Sequence, residues 1–287
     1  MRRDDLQLRS LVTALFALYL FLYPFSLALV ALDRVPVWGT WMGGALLILQ
    51  GTILGLWLTI NFGRWGAVAS FWVLFLSWLI EHVGATTGFP FGSYSYTDVL
   101  QPQVLGVVPL AIPFAWLLIV PAAMAVGDRI IYRKGVPVGD EREVRFARVL
   151  MAAAFALLLD VTIEPFAVNV NQYWVWSDAS AGTYYGIPFS NFVAWFVTSL
   201  ILSWVLLVYR AKAAQNRPTA QRAVYWPWLP VTLYMTNLTM FVVVNLARDQ
   251  EYAAYIGGLI MLVLIVHWAQ PRLARWLREA DQKSGIS

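Results

Sequence analysis

Residues 66–103 read "GAVASFWVLFLSWLIEHVGATTGFPFGSYSYTDVLQPQ". The first half is predominantly apolar and long enough, at about 1.5 Å per helical residue, to be buried in a bilayer. The second half opens with Glu81 and His82, carries no Lys or Arg, and is dense in Gly, Pro, Phe and Tyr. A carboxylate and an imidazole at the end of a hydrocarbon-length helix, followed by a rigid aromatic loop, pose two questions at once. One is how the rest of the chain is organised; the other is what such a place is for.

The remainder of the sequence repeats the first half of that pattern. Of 287 residues, 60% are hydrophobic and 13% charged, and the mean hydropathy is +0.64. A soluble domain carries about 25% charged residues. The pattern places membrane spans at roughly 11–32, 41–60, 66–83, 105–126, 147–164, 190–209, 227–246 and 253–270. The expected fold is therefore all-α: a polytopic integral membrane bundle of about eight transmembrane helices, forming one membrane domain over 1–287. The first block follows Arg2, Arg3 and Arg9 but is too long for a signal-peptide core and lacks a small-residue cleavage site, so it is read as a retained helix.

Of the 20 basic residues, all but Arg34 and Arg248 fall on one set of alternate connections: the N-terminus, Arg64, 127–148, 210–223 and the C-terminal tail. The positive-inside bias then places both termini in the cytoplasm, in a multi-pass protein of the inner (plasma) membrane. The same bias accounts for the net charge of +4 without invoking nucleic acid. The absence of cysteine removes disulfides, thiolate chemistry and Cys-bound metal.

The connections 84–104 and 165–189, on the opposite side, contain no basic residue. Both are rich in Gly, Pro and aromatics, and "GFPFG" and "GIPFS" share a Gly-x-Pro-Phe pattern. An interfacial aromatic belt explains some of the Trp and Tyr. The Gly-aromatic-Pro-Phe texture points instead to ordered loops folded over the bundle.

Carboxylates near hydrocarbon are costly and mark function. Glu81 ends the third span; Asp160 and Glu164, in "LLLDVTIEPF", share a face of the fifth, four residues apart. Two acids so close repel, and burial disfavours both charged forms, so at least one is expected to hold a proton. Pro165 is expected to end that helix. Hard-ligand metal binding at these acids would ordinarily serve phosphates and need basic partners, which the two loops lack; no metal or cofactor is expected. A dry pocket with acids and aromatics but no cations suits protonation of an alkene, stabilisation of the cation by π-faces, and capture by water.

The pieces "EHVGATTGFPFGSYSYTDVLQP", "GVVPLAIPFAW" and "DVTIEPFAV…YWVW…YYGIPFSNFVAW", in that order, resemble the membrane-embedded carotenoid 1,2-hydratase family. That family includes the bisanhydrobacterioruberin hydratases of haloarchaea and the γ-carotene or lycopene hydratases of bacteria. The resemblance covers residues 75–200 by motif and the rest by span pattern. It implies addition of water across the terminal C1–C2 double bond of an acyclic ψ-end, giving a tertiary alcohol. The expected partners are an apolar carotenoid within the bilayer, water and membrane lipid; a homo-oligomer is left open.

Roles follow from the residues. Glu81, Asp160 and Glu164 are candidate proton donors and water-positioning groups, with Asp160 or Glu164 preferred as the donor. His82 joins them as a catalytic candidate. Tyr94, Tyr96 and Asn191 are candidates to orient water, the acids or substrate. Trp174, Trp176, Tyr184, Tyr185 and Trp195 are candidates to line the end-group site, with packing or belt anchoring as the competing reading of each aromatic.

Two other functions compete. An intramembrane prenyltransferase needs Asp-rich Mg²⁺ motifs and cations for diphosphate; "DVTIE" is a partial likeness without them. A transporter or non-catalytic assembly subunit would use polar residues such as Gln50, Asn61, Asn237 and Asn245. Transporters, however, place their sites near the midplane, and here the acids gather at one end.

Overall fold

Each apolar block folds as a helix long and apolar enough to cross a membrane, so the chain is an all-α polytopic bundle. The computed structural model describes residues 3–132, 141–177, 184–215 and 224–284, and side chains over 5–132, 141–177, 184–215 and 224–270. The middle of the second aromatic loop, parts of the two basic connections and the side chains of the basic tail lie outside the described residues. The helices are α1 (Arg3–Ala31), α2 (Met42–Phe62), α3 (Arg64–Thr87), α4 (Ala111–Ile131), α5 (Glu141–Pro165), α6 (Phe189–Gln215), α7 (Leu229–Ala247) and α8 (Glu251–Ser284).

The centre is α4, the most buried helix, packed against α2, α3, α5 and α7. At one end of the bundle Arg148 and Arg210 converge on Asp128, at 2.6 and 3.1 Å. At the other, Arg248 pairs with Asp33 at 2.8 Å. The alternation of basic residues read from the sequence thus separates onto the two ends of the bundle.

The end that carries Asp33 also carries the two aromatic loops, and they are built as short strands. β1 (Tyr94–Tyr96) pairs antiparallel with β4 (Trp174–Trp176), with Tyr94 opposite Trp176 and Tyr96 opposite Trp174. Side chains alternate across a strand. Tyr94, Trp174 and Trp176 accordingly turn inward to the bundle, and Val175 is exposed. The ladder is extended by Thr97 N–H on the Tyr173 carbonyl and Ser177 N–H on the Ser93 carbonyl. The two Gly-x-Pro-Phe segments meet, Ser190 Oγ donating to the Phe91 carbonyl at 2.7 Å.

Two sequence expectations are corrected. The fourth span starts at Ala111, not near 105, because 103–109 is a tight hairpin of β2 (Gln103–Val104) and β3 (Val108–Pro109). Leu105 and Gly106 turn it at φ of 53° and 69°, and Val108 is fully buried where the hairpin packs on α3. Pro165 does not end the helical path either, which runs on as one π-helical turn over Phe166–Val170. Proline lacks the N–H that would bond the Val161 carbonyl. The Tyr184 hydroxyl donates to that carbonyl instead, at 2.9 Å. The next carbonyl, of Thr162, is met by Asn245 Nδ2 at 2.8 Å.

Candidate active site

Beneath the β1–β4 lid the ends of α3 and α5 bring two carboxylates to one cavity. Glu81, 5% exposed, accepts from the Tyr94 and Tyr96 hydroxyls on Oε2, at 2.7 and 2.8 Å, and from the Trp116 indole on Oε1, at 2.9 Å. Burial, and then the neighbouring Glu81 charge, holds both phenols well above their ordinary pKa, so they remain donors at physiological pH. Glu164, 1% exposed, is held in the same fashion. Its Oε2 accepts from the Trp174 and Trp176 indoles at 3.2 and 3.3 Å, and its Oε1 from Asn191 Nδ2 at 2.9 Å.

This pairing follows from the strand period. Residues two apart on β1 reach Glu81, and residues two apart on β4, in register with them, reach Glu164. Each carboxylate therefore meets three neutral donors, and none of these partners is a cation. A carboxylate has about four lone-pair positions. In both residues the position left over is on Oε1.

Asp160 lies one turn deeper on α5, about 6 Å along the axis. It is fully buried and stays off the cavity wall, with Oδ1 unpartnered and Oδ2 3.5 Å from Asn191 Nδ2. Asn191 thus stands between Asp160 and Glu164.

The cavity has a volume of about 120 Å³. Glu81, Glu164, Tyr94, Tyr96, Trp174 and Trp176 line its lid end, and Asn191 and Trp195 complete that end from α6. Three other sequence candidates fall elsewhere. His82 is off the wall, its ring against Trp78 at 5.3 Å and its Nδ1 buried without a partner. Tyr184 supports the α5 carbonyl freed by Pro165. Tyr185 receives the Tyr252 and Ala253 N–H groups at 3.1 and 3.4 Å, where α8 begins.

Sequence reasoning passed over Trp116 and Tyr173. Trp116 supplies the third donor to Glu81 and stacks on Trp195 with centroids 4.1 Å apart. Its signal was present: a tryptophan inside an apolar span, away from the interface, needs a buried acceptor for its N–H. Tyr173 lines the cavity beside Gly43, where any Cβ would collide with its hydroxyl.

The lid also relies on a close approach at Gly84, where a Cβ would sit 2.6 Å from Phe91 Cδ2 and 3.2 Å from the Tyr94 hydroxyl. Phe91 is 2% exposed and has no room to swing aside. Gly84→Ala should therefore destabilise the fold by about 1–3 kcal/mol, the cost of overpacking a filled core. Thermal unfolding in detergent reads the effect; an unchanged midpoint would show that the lid does not rest on α3 as described.

The sequence profile of a family described as carotenoid biosynthesis protein matches residues 42–264, more than half of the chain. The chain belongs to that family. Every acid and aromatic of the cavity's lid end lies inside the matched stretch, whereas α1 lies outside it. Among individual carotenoid biosynthesis proteins, the chain is similar to a bisanhydrobacterioruberin hydratase of Haloarcula japonica, with 29% identity over 126 residues. That stretch covers 44% of this chain and 39% of the relative's length. No solved structure matches the chain.

Proposed function

We propose that the protein is a carotenoid hydratase that adds water across the terminal C1–C2 double bond of an acyclic ψ-end, giving a tertiary alcohol. The observation that carries this reading is the pair of carboxyl groups, each held by three neutral donors on the wall of a largely apolar, aromatic cavity. The name of the Haloarcula relative supports it. A prenyl diphosphate substrate would instead call for cations or a carboxylate-bound metal beside the acids, and the lid end presents indoles, phenols and an amide.

In this reading Glu164 donates the proton. It lines the cavity, which Asp160 does not, and it shares the Asn191 amide with Asp160. Two carboxyls on one donor in a dry site do not both ionise, so the pair keeps a proton that reaches the substrate through Glu164. Oε1 of Glu164 delivers it to C2 of the alkene; the electron pair of the double bond forms the new C–H bond and leaves a tertiary cation at C1. The faces of Trp116, Trp195 and the lid indoles stabilise that cation. Water attacks C1, and Glu81 takes the released proton on Oε1. Return of that proton to Glu164 closes the cycle with H and OH added and no cofactor consumed. The loop-bearing end of the bundle faces away from the cytoplasm, and both termini face into it.

The test is mass spectrometry of pigments from a lycopene-producing bacterium expressing the chain. The expected product is heavier by one water and keeps the absorption spectrum of the conjugated polyene, because the terminal alkene is isolated from it. A product carrying an added prenyl unit, or unchanged pigment alongside folded protein in the membrane, would overturn the proposal.

A further inference from the structure

The cavity does not end at the acids. It runs down between α2 and α7 to a buried amide pair, Asn237 Nδ2 donating to Gln50 Oε1 at 2.6 Å, and on one side its wall is α1, through Tyr19, Tyr23 and Ser26. This arm lies beyond the residues that hold the acids. An acyclic polyene is a rigid apolar rod about as long as the bilayer is thick. Its body has to lie somewhere while one end meets Glu81 and Glu164.

The walls differ in how firmly they are held. At the lid, four side-chain donors fix the carboxylates from above, and the β1–β4 ladder, the Thr97 and Ser177 backbone bonds and the Ser190–Phe91 bond tie the loops together. Entry there would dismantle the site. The α1 wall is different. Within α1's described side chains only Val12 and Tyr19 are buried, and Leu18, Phe21 and Phe25 are exposed on the far side of the helix. Beside the cavity the α1 phenols bond α7: the Tyr19 hydroxyl lies 2.6 Å from Thr236 Oγ1, the Tyr23 hydroxyl donates to the Thr236 carbonyl at 2.9 Å, and Tyr23 also meets Thr239. The Thr236 hydroxyl keeps a partner if α1 swings out, because it also donates to the Thr232 carbonyl of its own helix at 2.9 Å.

Resting on the hydratase reading, we infer that Tyr19 and Tyr23 are substrate-binding residues forming a side entrance: the polyene enters from the bilayer by parting α1 from Thr236, and its body then lies along the arm walled by α1, α2 and α7. The lid stays shut throughout, so water and substrate reach the acids by separate routes. Reclosure of the two phenols around the polyene would make Tyr19 and Tyr23 contacts for the conjugated chain rather than for the reacting end.

The chain contains no cysteine, so a pair introduced as Tyr19→Cys and Thr236→Cys can be bridged specifically by a short bifunctional thiosulfonate and released by reductant. Two readouts are taken in lipid nanodiscs with lycopene: quenching of cavity tryptophan fluorescence by the polyene, and hydrated product. The bridged protein should lose at least tenfold in the rate of both, and reductant should restore them to the level of the same variant before bridging. That internal comparison removes any effect of the substitutions on folding. Equal uptake and hydration in bridged and reduced forms would overturn the side entrance and leave the hydratase reading standing. Uptake that bridging blocks and reductant restores, with no product in any form, the unsubstituted chain included, would sink the hydratase reading and keep the entrance. Absence of uptake in every form would overturn both.

Discussion

Glu164→Gln should lower the rate of hydration by about 10²–10⁴-fold, the range that a positioned general acid contributes. The replacement is nearly isosteric, and its effect is expected to be chemical. The amide oxygen can take the place of Oε2 and keep the Trp174 and Trp176 indoles. Its NH₂ then faces Asn191, which can turn its own carbonyl inward. The lid stays, and the transferable proton is gone. Asp160→Asn is the informative partner. Asp160 does not line the cavity, so its neutral analogue should cost far less, on the order of tenfold, through loss of the second acid with which Glu164 shares a proton. The measurement is product formed per folded protein for both variants. An active Glu164→Gln beside an inactive Asp160→Asn would transfer the donor role to the deeper acid, and full activity in both would remove α5 from the chemistry.

That pair also shows how far the sequence could carry the argument. The acids were legible because a carboxylate in an apolar span is expensive, and their spacing put Asp160 and Glu164 on one face. Which of them meets substrate was not legible: a one-turn difference in depth matters only once the cavity wall is known. The eight spans were equally plain, since length and hydropathy settle them without tertiary knowledge. The errors fell where apolar residues serve something other than a span. "VLGVVPL" looks like the start of a helix but folds as a hairpin that buries Val108 and packs against α3. Pro165 looks like a helix end but is carried through because a distant tyrosine replaces the bond that proline removes.

The lid is the subtler case. "YSY" and "WVW" alternate with the period of a strand, and the alternation is what aims two phenols at Glu81 and two indoles at Glu164. Read as merely ordered loops, they gave residues that line the cavity's lid end, without the geometry. No local pattern states that Tyr94 stands opposite Trp176, because that register joins segments some 80 residues apart, and only the pairing reveals that the two carboxylates share one roof. Trp116 was missed for a related reason. Its N–H needed an acceptor, and the acceptor, Glu81, belongs to another helix.

Glu81→Gln should cost hydration about 10²-fold or more in kcat while leaving KM and the unfolding midpoint nearly unchanged, as expected when a general base is lost from an intact site. The three donors around Glu81 decide why the site survives. Trp116 can only donate, whereas a phenol can donate or accept. Glutamine therefore settles with its oxygen toward Trp116 and its NH₂ toward Tyr94 and Tyr96, whose hydroxyls rotate to accept. Glu81→Leu offers no such escape: three buried donors lose their acceptor, each at about 1–3 kcal/mol, and the lid should loosen. Limited proteolysis of the 88–110 loop would then be faster in Glu81→Leu and as slow as normal in Glu81→Gln. A fully active Glu81→Gln would make this carboxylate a tether for the lid and leave the capture of water to Glu164 alone. An inactive Glu81→Gln with an intact lid assigns it the base. The same structural fact underlies both outcomes: this acid is gripped by neutral donors that tolerate either charge state, so charge can be removed from the site without removing the site.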